Sequence, residues 1–231
     1  MTSAHEPTVA VTTPALIEAC VGSMAESLAA VRGGADRLEL CNELSVGGTT
    51  PSDELLVAVK RQIPIPVSAM IRPRGGSFVH SAAELETMRR GMDRLRTLGA
   101  GMFVIGLLTD DGRVDVARTR ELVAHAAPLP VTFHRAFDEV RDQLSALDEL
   151  IGAGVARVLT SGGAPTALEG ADALAALVAR AAGRIVIMAG GAVRAANAPA
   201  IVRRSSVREV HARCLDDETR IRDLKATLAL V

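Results

Sequence analysis

Residues 23–41 read Ser23-Met24-Ala25-Glu26-Ser27-Leu28-Ala29-Ala30-Val31-Arg32-Gly33-Gly34-Ala35-Asp36-Arg37-Leu38-Glu39-Leu40-Cys41, and this stretch decides the fold. Its first ten residues place apolar side chains at helical spacing behind a serine that can cap the first turn. The glycine pair then supplies a left-handed stop, and a short apolar run too brief for a helix follows. Helix, glycine, strand is half of a βα repeat.

Working outward, the same unit recurs along the chain. Apolar runs at 16–20, 37–41, 67–71, 102–107, 131–134, 157–160, 185–189 and 208–211 read as strands. Segments 23–32, 52–61, 82–98, 115–126, 141–151, 167–180, 195–202 and 216–230 read as helices. Ser23, Ser52, Ser81 and Asp115 are placed as N-caps, and Gly34, Gly99, Gly152, Gly154 and Gly183 as helix stops. Strands apolar nearly throughout and covered by helices predict a parallel sheet. Eight such units with no composition break predict one α/β domain over 14–231, a (β/α)8 TIM barrel.

Composition narrows the function. The chain has 231 residues, with 26 Lys and Arg against 27 Asp and Glu, so it lacks the basic surplus of a nucleic-acid binder. Four Phe, no Trp and no Tyr leave almost nothing on which bases or sugars could stack. Three cysteines make no disulfide framework and fit a reducing compartment. No apolar run approaches the roughly 18 residues of a spanning helix. Residues 1–13 are rich in Thr, Ala and Pro, carry no Lys or Arg, and read as a disordered lead-in to a cytoplasmic protein.

A barrel of this kind carries its chemistry at the C-terminal strand ends. There the sequence places Glu18 and Cys20 on the first strand, Glu39 and Cys41 on the second, Arg72 and Arg74 after the third. His134 ends the fifth and His211 the eighth. Residues two apart on a strand share a face, so each of the first two strands directs a carboxylate and a thiol together. Cys20 and Cys41 are candidate metal ligands, thiolates being selective for soft ions, although a free cysteine also packs as a small hydrophobe. Glu18, Glu39, Arg72, His134 and His211 are candidate catalytic residues, because such a set is acid–base equipment as well as a possible ion-paired plug. The Gly162-Gly163 and Gly190-Gly191 turns, with Arg74, are candidate anion holders through their backbone amides, or simply tight turns.

Ile17-Glu18-Ala19-Cys20, Gly33 to Cys41, Gly47-Gly48-Thr49-Thr50-Pro51-Ser52 and Ile71-Arg72-Pro73-Arg74-Gly75-Gly76 resemble the motifs of the CutC family. So do Thr132-Phe133-His134-Arg135-Ala136-Phe137-Asp138, Arg157 to Gly162, and Glu209-Val210-His211, in order along nearly the whole folded chain. The resemblance implies a cytoplasmic barrel associated with copper homeostasis, commonly a homo-oligomer, with two strand-end cysteines as Cu(I) ligands in some members. Those positions match Cys20 and Cys41, and no organic cofactor is implied. Ala212-Arg213-Cys214 departs from the small, Ser-containing turn of the family, and Cys214 has no partner at strand spacing. Two functions are therefore carried forward: a Cu(I)-binding protein, and an enzyme acting on a small anionic metabolite, phosphorylated or not, at the barrel mouth.

Overall fold

A computed structural model describes residues 14–231; the lead-in expected over 1–13 lies outside the described residues. The elements are β1 (Leu16–Val21), α1 (Met24–Arg32), β2 (Arg37–Leu40), α2 (Asp53–Gln62), β3 (Val67–Met70), α3 (Ala82–Thr97), β4 (Met102–Ile105) and α4 (Val116–Ala126). Then follow β5 (Val131–Phe133), α5 (Gln143–Gly152), β6 (Arg157–Thr160), α6 (Ala171–Ala181), β7 (Val186–Ala189), α7 (Ala198–Ser205), β8 (Glu209–Arg213) and α8 (Glu218–Leu228). The strands pair in parallel in sequence order and β8 closes on β1, which makes the expected (β/α)8 barrel. No helix among the described residues is long and apolar enough to cross a membrane.

The local signals act as chemistry requires. Ser23, Ser52, Ser81 and Asp115 each accept an amide proton in the first helical turn, and Ser81 with Glu84 forms a reciprocal capping box. Gly34, Gly99, Gly154 and Gly183 hold left-handed backbone, whereas Gly152 is the last helical residue of α5. Two helices start three or four residues later than their periodicity suggests. Pro199 sets the start of α7, since its fixed φ suits a first turn, and α6 begins at Ala171, preceded by a turn. β8 runs on to Arg213, because Arg213 still pairs in register with Cys20.

The expectation of strands apolar nearly throughout is corrected. The outward residues are apolar: Ile17, Ala19, Leu38, Leu40, Phe103, Ile105 and Val158 join the core between sheet and helices, whereas the inward set mixes apolar residues such as Met70 and Val104 with polar ones. Arg37 donates to Glu18 and, at 2.6 Å, to Glu209, while Arg157 binds Glu209 at 2.5 and 3.0 Å. Ser68 donates to Glu18 at 3.1 Å, and Thr132 accepts from Arg157 at 3.4 Å. Without large aromatics, a hydrogen-bonded ion network fills the lower barrel. Alternate strands feed alternate layers of such an interior, so the level at which each polar residue sits is fixed by register.

Candidate functional site

Register separates the candidates. Cys20 lies opposite Glu39 on β2 and Glu18 lies opposite Arg37, a level lower. Glu18 is completely buried in the ion network and does not reach the mouth. Glu39 and His211 do: they flank β1 from either side, and His211 Nε2 donates to Glu39 Oε2 at 2.8 Å. The ligand atoms of Cys20, Glu39 and His211 all lie within 4.8 Å of one another. Cys41, just past β2, presents its thiol to Glu39 Oε2 at 3.8 Å and packs with Cys20, Met70 and Val104 in a buried cluster of its own.

The charges in this knot support one another. Burial opposes protonation of His211, yet the Glu39 carboxylate and Cys20 outweigh it and hold the imidazole well above its ordinary range. Burial likewise works against ionised Glu39, but His211 keeps it below the usual carboxylate range. The Cys20 thiol is lowered, chiefly by the hydrogen bond that Cys41 offers its sulfur, with His211 assisting. Cys41, the donor, is pushed well above the thiol range by that same bond and by burial. The pair therefore holds one easily ionised sulfur and one that keeps its proton.

His134 ends β5 on the opposite wall. Its Nδ1 accepts from the Ala136 amide at 3.1 Å, which places the ring proton on Nε2. Burial, then the nearby Arg72, lowers its pKa to about 3, so the ring is neutral. Gly106 is needed beneath it: a Cβ there would stand 2.1 Å from the ring's Cε1. Arg72 is also buried, and its guanidinium clasps the carbonyls of Val46, Gly48 and Gly76 at 2.8–3.1 Å with Phe78 4.8 Å away. It holds the loops after β2 and β3 over the site. Arg74 lies apart, bound to Glu84 at 2.5 Å and to nearby carbonyls.

The two glycine turns differ. The Gly163 amide donates to Asp138 at 3.1 Å and the Gly162 amide to Thr160 Oγ1 at 2.9 Å, while Ser161 also binds the Asp138 carboxylate. A carboxylate of the chain itself thus occupies that cradle. Gly190 instead abuts the site, since a Cβ there would meet Leu159 at 2.4 Å and His211 Cβ at 3.5 Å. Gly191 lines the mouth beside the Arg135 guanidinium. The mouth is a cavity of about 370 Å³, whose walls include Cys20, Glu39, Met70, Arg72, His134 and His211. Cys214, in the core outside the barrel, takes no part, and burial pushes its thiol up to about 11.

Sequence reading missed Met70, Phe78 and Asp138 as parts of this end of the barrel. Met70 was legible as a residue two positions past Ser68 on the same strand face. Asp138 was not, because its partners at 160–163 are more than twenty residues away and joined only by barrel closure.

Residues 15–215 match the model of the CutC family. A CutC family protein of Chromobacterium violaceum is 48% identical over 197 residues, covering 85% of this chain and 80% of that protein. The human copper homeostasis protein cutC homolog is 47% identical over 196 residues, covering 85% and 72%. A crystal structure of CutC from Streptococcus agalactiae superposes with a TM-score of 0.83 at 34% identity, covering 87% of this chain and 99% of that one. Phosphoribosylanthranilate isomerase of Thermotoga maritima, at 10% identity and a TM-score of 0.62 over 94% of this chain and all of that one, shares the barrel fold alone. The motifs of the first, second, third, fifth, sixth and eighth strands all fall within the matched span, and on that agreement of sequence and fold the chain belongs to the CutC family of copper homeostasis proteins.

Proposed function

We propose that this protein binds Cu(I) between Cys20 and Cys41 as its contribution to copper homeostasis. The observation that carries the reading is the packing of these two thiols with Met70 in one buried cluster at the strand ends. Thiolate and thioether are the soft donors that Cu(I) selects, and a water-poor cluster disfavours hard cations. The donor set fits the ion. A Cys20 thiol already lowered needs little to ionise, and displacement of the Cys41 proton by the metal would complete the pair. Glu39 is a poor Cu(I) ligand; its place in this reading is to hold His211 charged beside the sulfurs, offsetting the negative charge of two thiolates around one monovalent ion.

A cytoplasmic, reducing location belongs to the same proposal, since all three cysteines are free thiols. So does assembly into a homo-oligomer, which the family resemblance implies and a sedimentation measurement tests. The deciding experiment is anaerobic titration against a chromophoric Cu(I) chelator. Wild-type protein should withdraw about one Cu(I) per chain, and the Cys20→Ser, Cys41→Ser variant should withdraw none. Undiminished binding by a folded double variant sinks the proposal.

A further inference from the structure

The same cavity carries three features that a thiol-bound ion does not use. First, its guanidinium groups exceed their counter-ions. Arg72, Arg135, Arg194 and Arg213 all line it, and of these only Arg135 forms an ion pair among the described residues, with Asp138 at 2.7 Å. Arg194 donates to its neighbour's carbonyl at 2.6 Å instead, and burial together with the charge of Arg220 acts against its own charge. Unbalanced cations round a concave site focus an attractive field on an anion.

Second, the turn after β7 offers open amides. The backbone N–H groups of residues 191–193 donate to no acceptor among the described residues, and Gly191 and Ala192 both hold left-handed backbone, with φ of 109° and 54°. Successive amides in such a turn form a concavity suited to phosphate oxygens. The turn after β6 is the internal comparison, because its amides already hold the Asp138 carboxylate.

Third, three buried polar atoms of residues on the cavity wall lack partners among the described residues: His134 Nε2, which carries the ring proton, Arg72 Nε, a donor, and Glu39 Oε1, an acceptor. His134 is 4% exposed and Glu39 2% exposed. Leaving such atoms unpaired is costly, and a hydroxyl, which both donates and accepts, satisfies a donor or an acceptor among them.

We infer that the barrel mouth is a binding site for a small phosphorylated hydroxy compound, its phosphate on the amides of residues 191–193 beside Arg194 and Arg213 and its hydroxylated body against His134 and Glu39. The cavity of about 370 Å³ suits a phosphorylated body of a few carbons. The site stands on residues other than the two cysteines, so it holds whether or not Cu(I) binds below.

The test is calorimetric titration of the full metal-free chain with inorganic phosphate, glycerol 3-phosphate and ribose 5-phosphate, with ribose as the uncharged control. At least one phosphorylated polyol should bind saturably, about tenfold or more tighter than inorganic phosphate, while ribose gives no heat. Arg194 and Arg213 are exposed, so Arg194→Gln with Arg213→Gln should fold normally and weaken that binding about tenfold or more, and reduce its salt dependence. Absence of saturable binding by every phosphorylated probe overturns the inference. So does a folded double variant that binds as the wild type does, or a polyol phosphate that binds no better than inorganic phosphate.

Discussion

His211 Nε2 and Glu39 Oε2 meet at 2.8 Å across β1, the strand that separates their own. The contact joins the last strand of the barrel to the second, so it exists only once the barrel has closed. It also fixes the charge at the site, because each group is held in its ionised form by the other against the cost of burial. Glu39→Gln keeps the shape and removes the charge. The His211 imidazole should then titrate at lower pH, burial now acting without its counterweight. An NMR titration of the ring carbons of His211 in the two proteins measures this, and identical titrations would show that Glu39 does not set its charge.

Cys214 provides the contrast among the thiols. It is fully buried in the core and held as a neutral thiol, whereas Cys20 is lowered. A thiol-directed reagent at about pH 8 should therefore label Cys20 ahead of Cys214 in native protein. Cys214→Ser should lower stability by about 1–2 kcal/mol, by burying a hydroxyl, and leave Cu(I) stoichiometry unchanged. Mass spectrometry of the labelled peptides gives the order, and early labelling of Cys214 would contradict the placement.

These residues show what was legible in the chain and what was not. Strand and helix alternation, caps and glycine stops are local signals, and the barrel follows from them because eight parallel strands with right-handed helical crossovers close on themselves. Which polar residues meet is set by stagger. Glu18 and Glu39 look equivalent in the sequence, each two residues ahead of a cysteine, yet Glu18 opposes Arg37 while Glu39 opposes Cys20. A shift of two residues in register sends one carboxylate into an ion network and the other to the mouth. Likewise Gly162-Gly163 and Gly190-Gly191 read alike, and only Asp138, supplied from the loop after β5, distinguishes them. Arg72 drew notice as a charge, but its three carbonyl partners belong to loops whose path no periodicity describes.

The network below the site gives a stability prediction. Arg37 faces two carboxylates, Glu18 and Glu209, all nearly excluded from water. Arg37→Met removes the cation and leaves Glu18 with only the Ser68 hydroxyl, so it should cost about 3–5 kcal/mol. Glu209 retains Arg157 and should not be the limiting defect. Urea denaturation of both proteins at neutral pH measures the difference. A loss within about 1 kcal/mol, the scale of an exposed pair, would mean that the interior is wetter than the burial of these groups indicates.

His134 predicts the acid side of the stability curve. In the unfolded chain its imidazole takes up a proton near 6.5, but in the folded protein only at about 3, because burial and then Arg72 disfavour the charge. Between those values the unfolded state binds the extra proton, so stability falls as pH falls through this window. The group's contribution to that slope approaches about 1.4 kcal/mol per pH unit once the unfolded imidazole is fully charged. His134→Gln removes this titration and keeps a side chain that can accept from the Ala136 amide. Its stability, followed by urea denaturation from about pH 7 down to pH 5, should therefore decline less steeply than that of the wild type. Parallel curves would mean that His134 charges freely in the folded protein, and a freely charging ring would not be the neutral donor that lines the cavity.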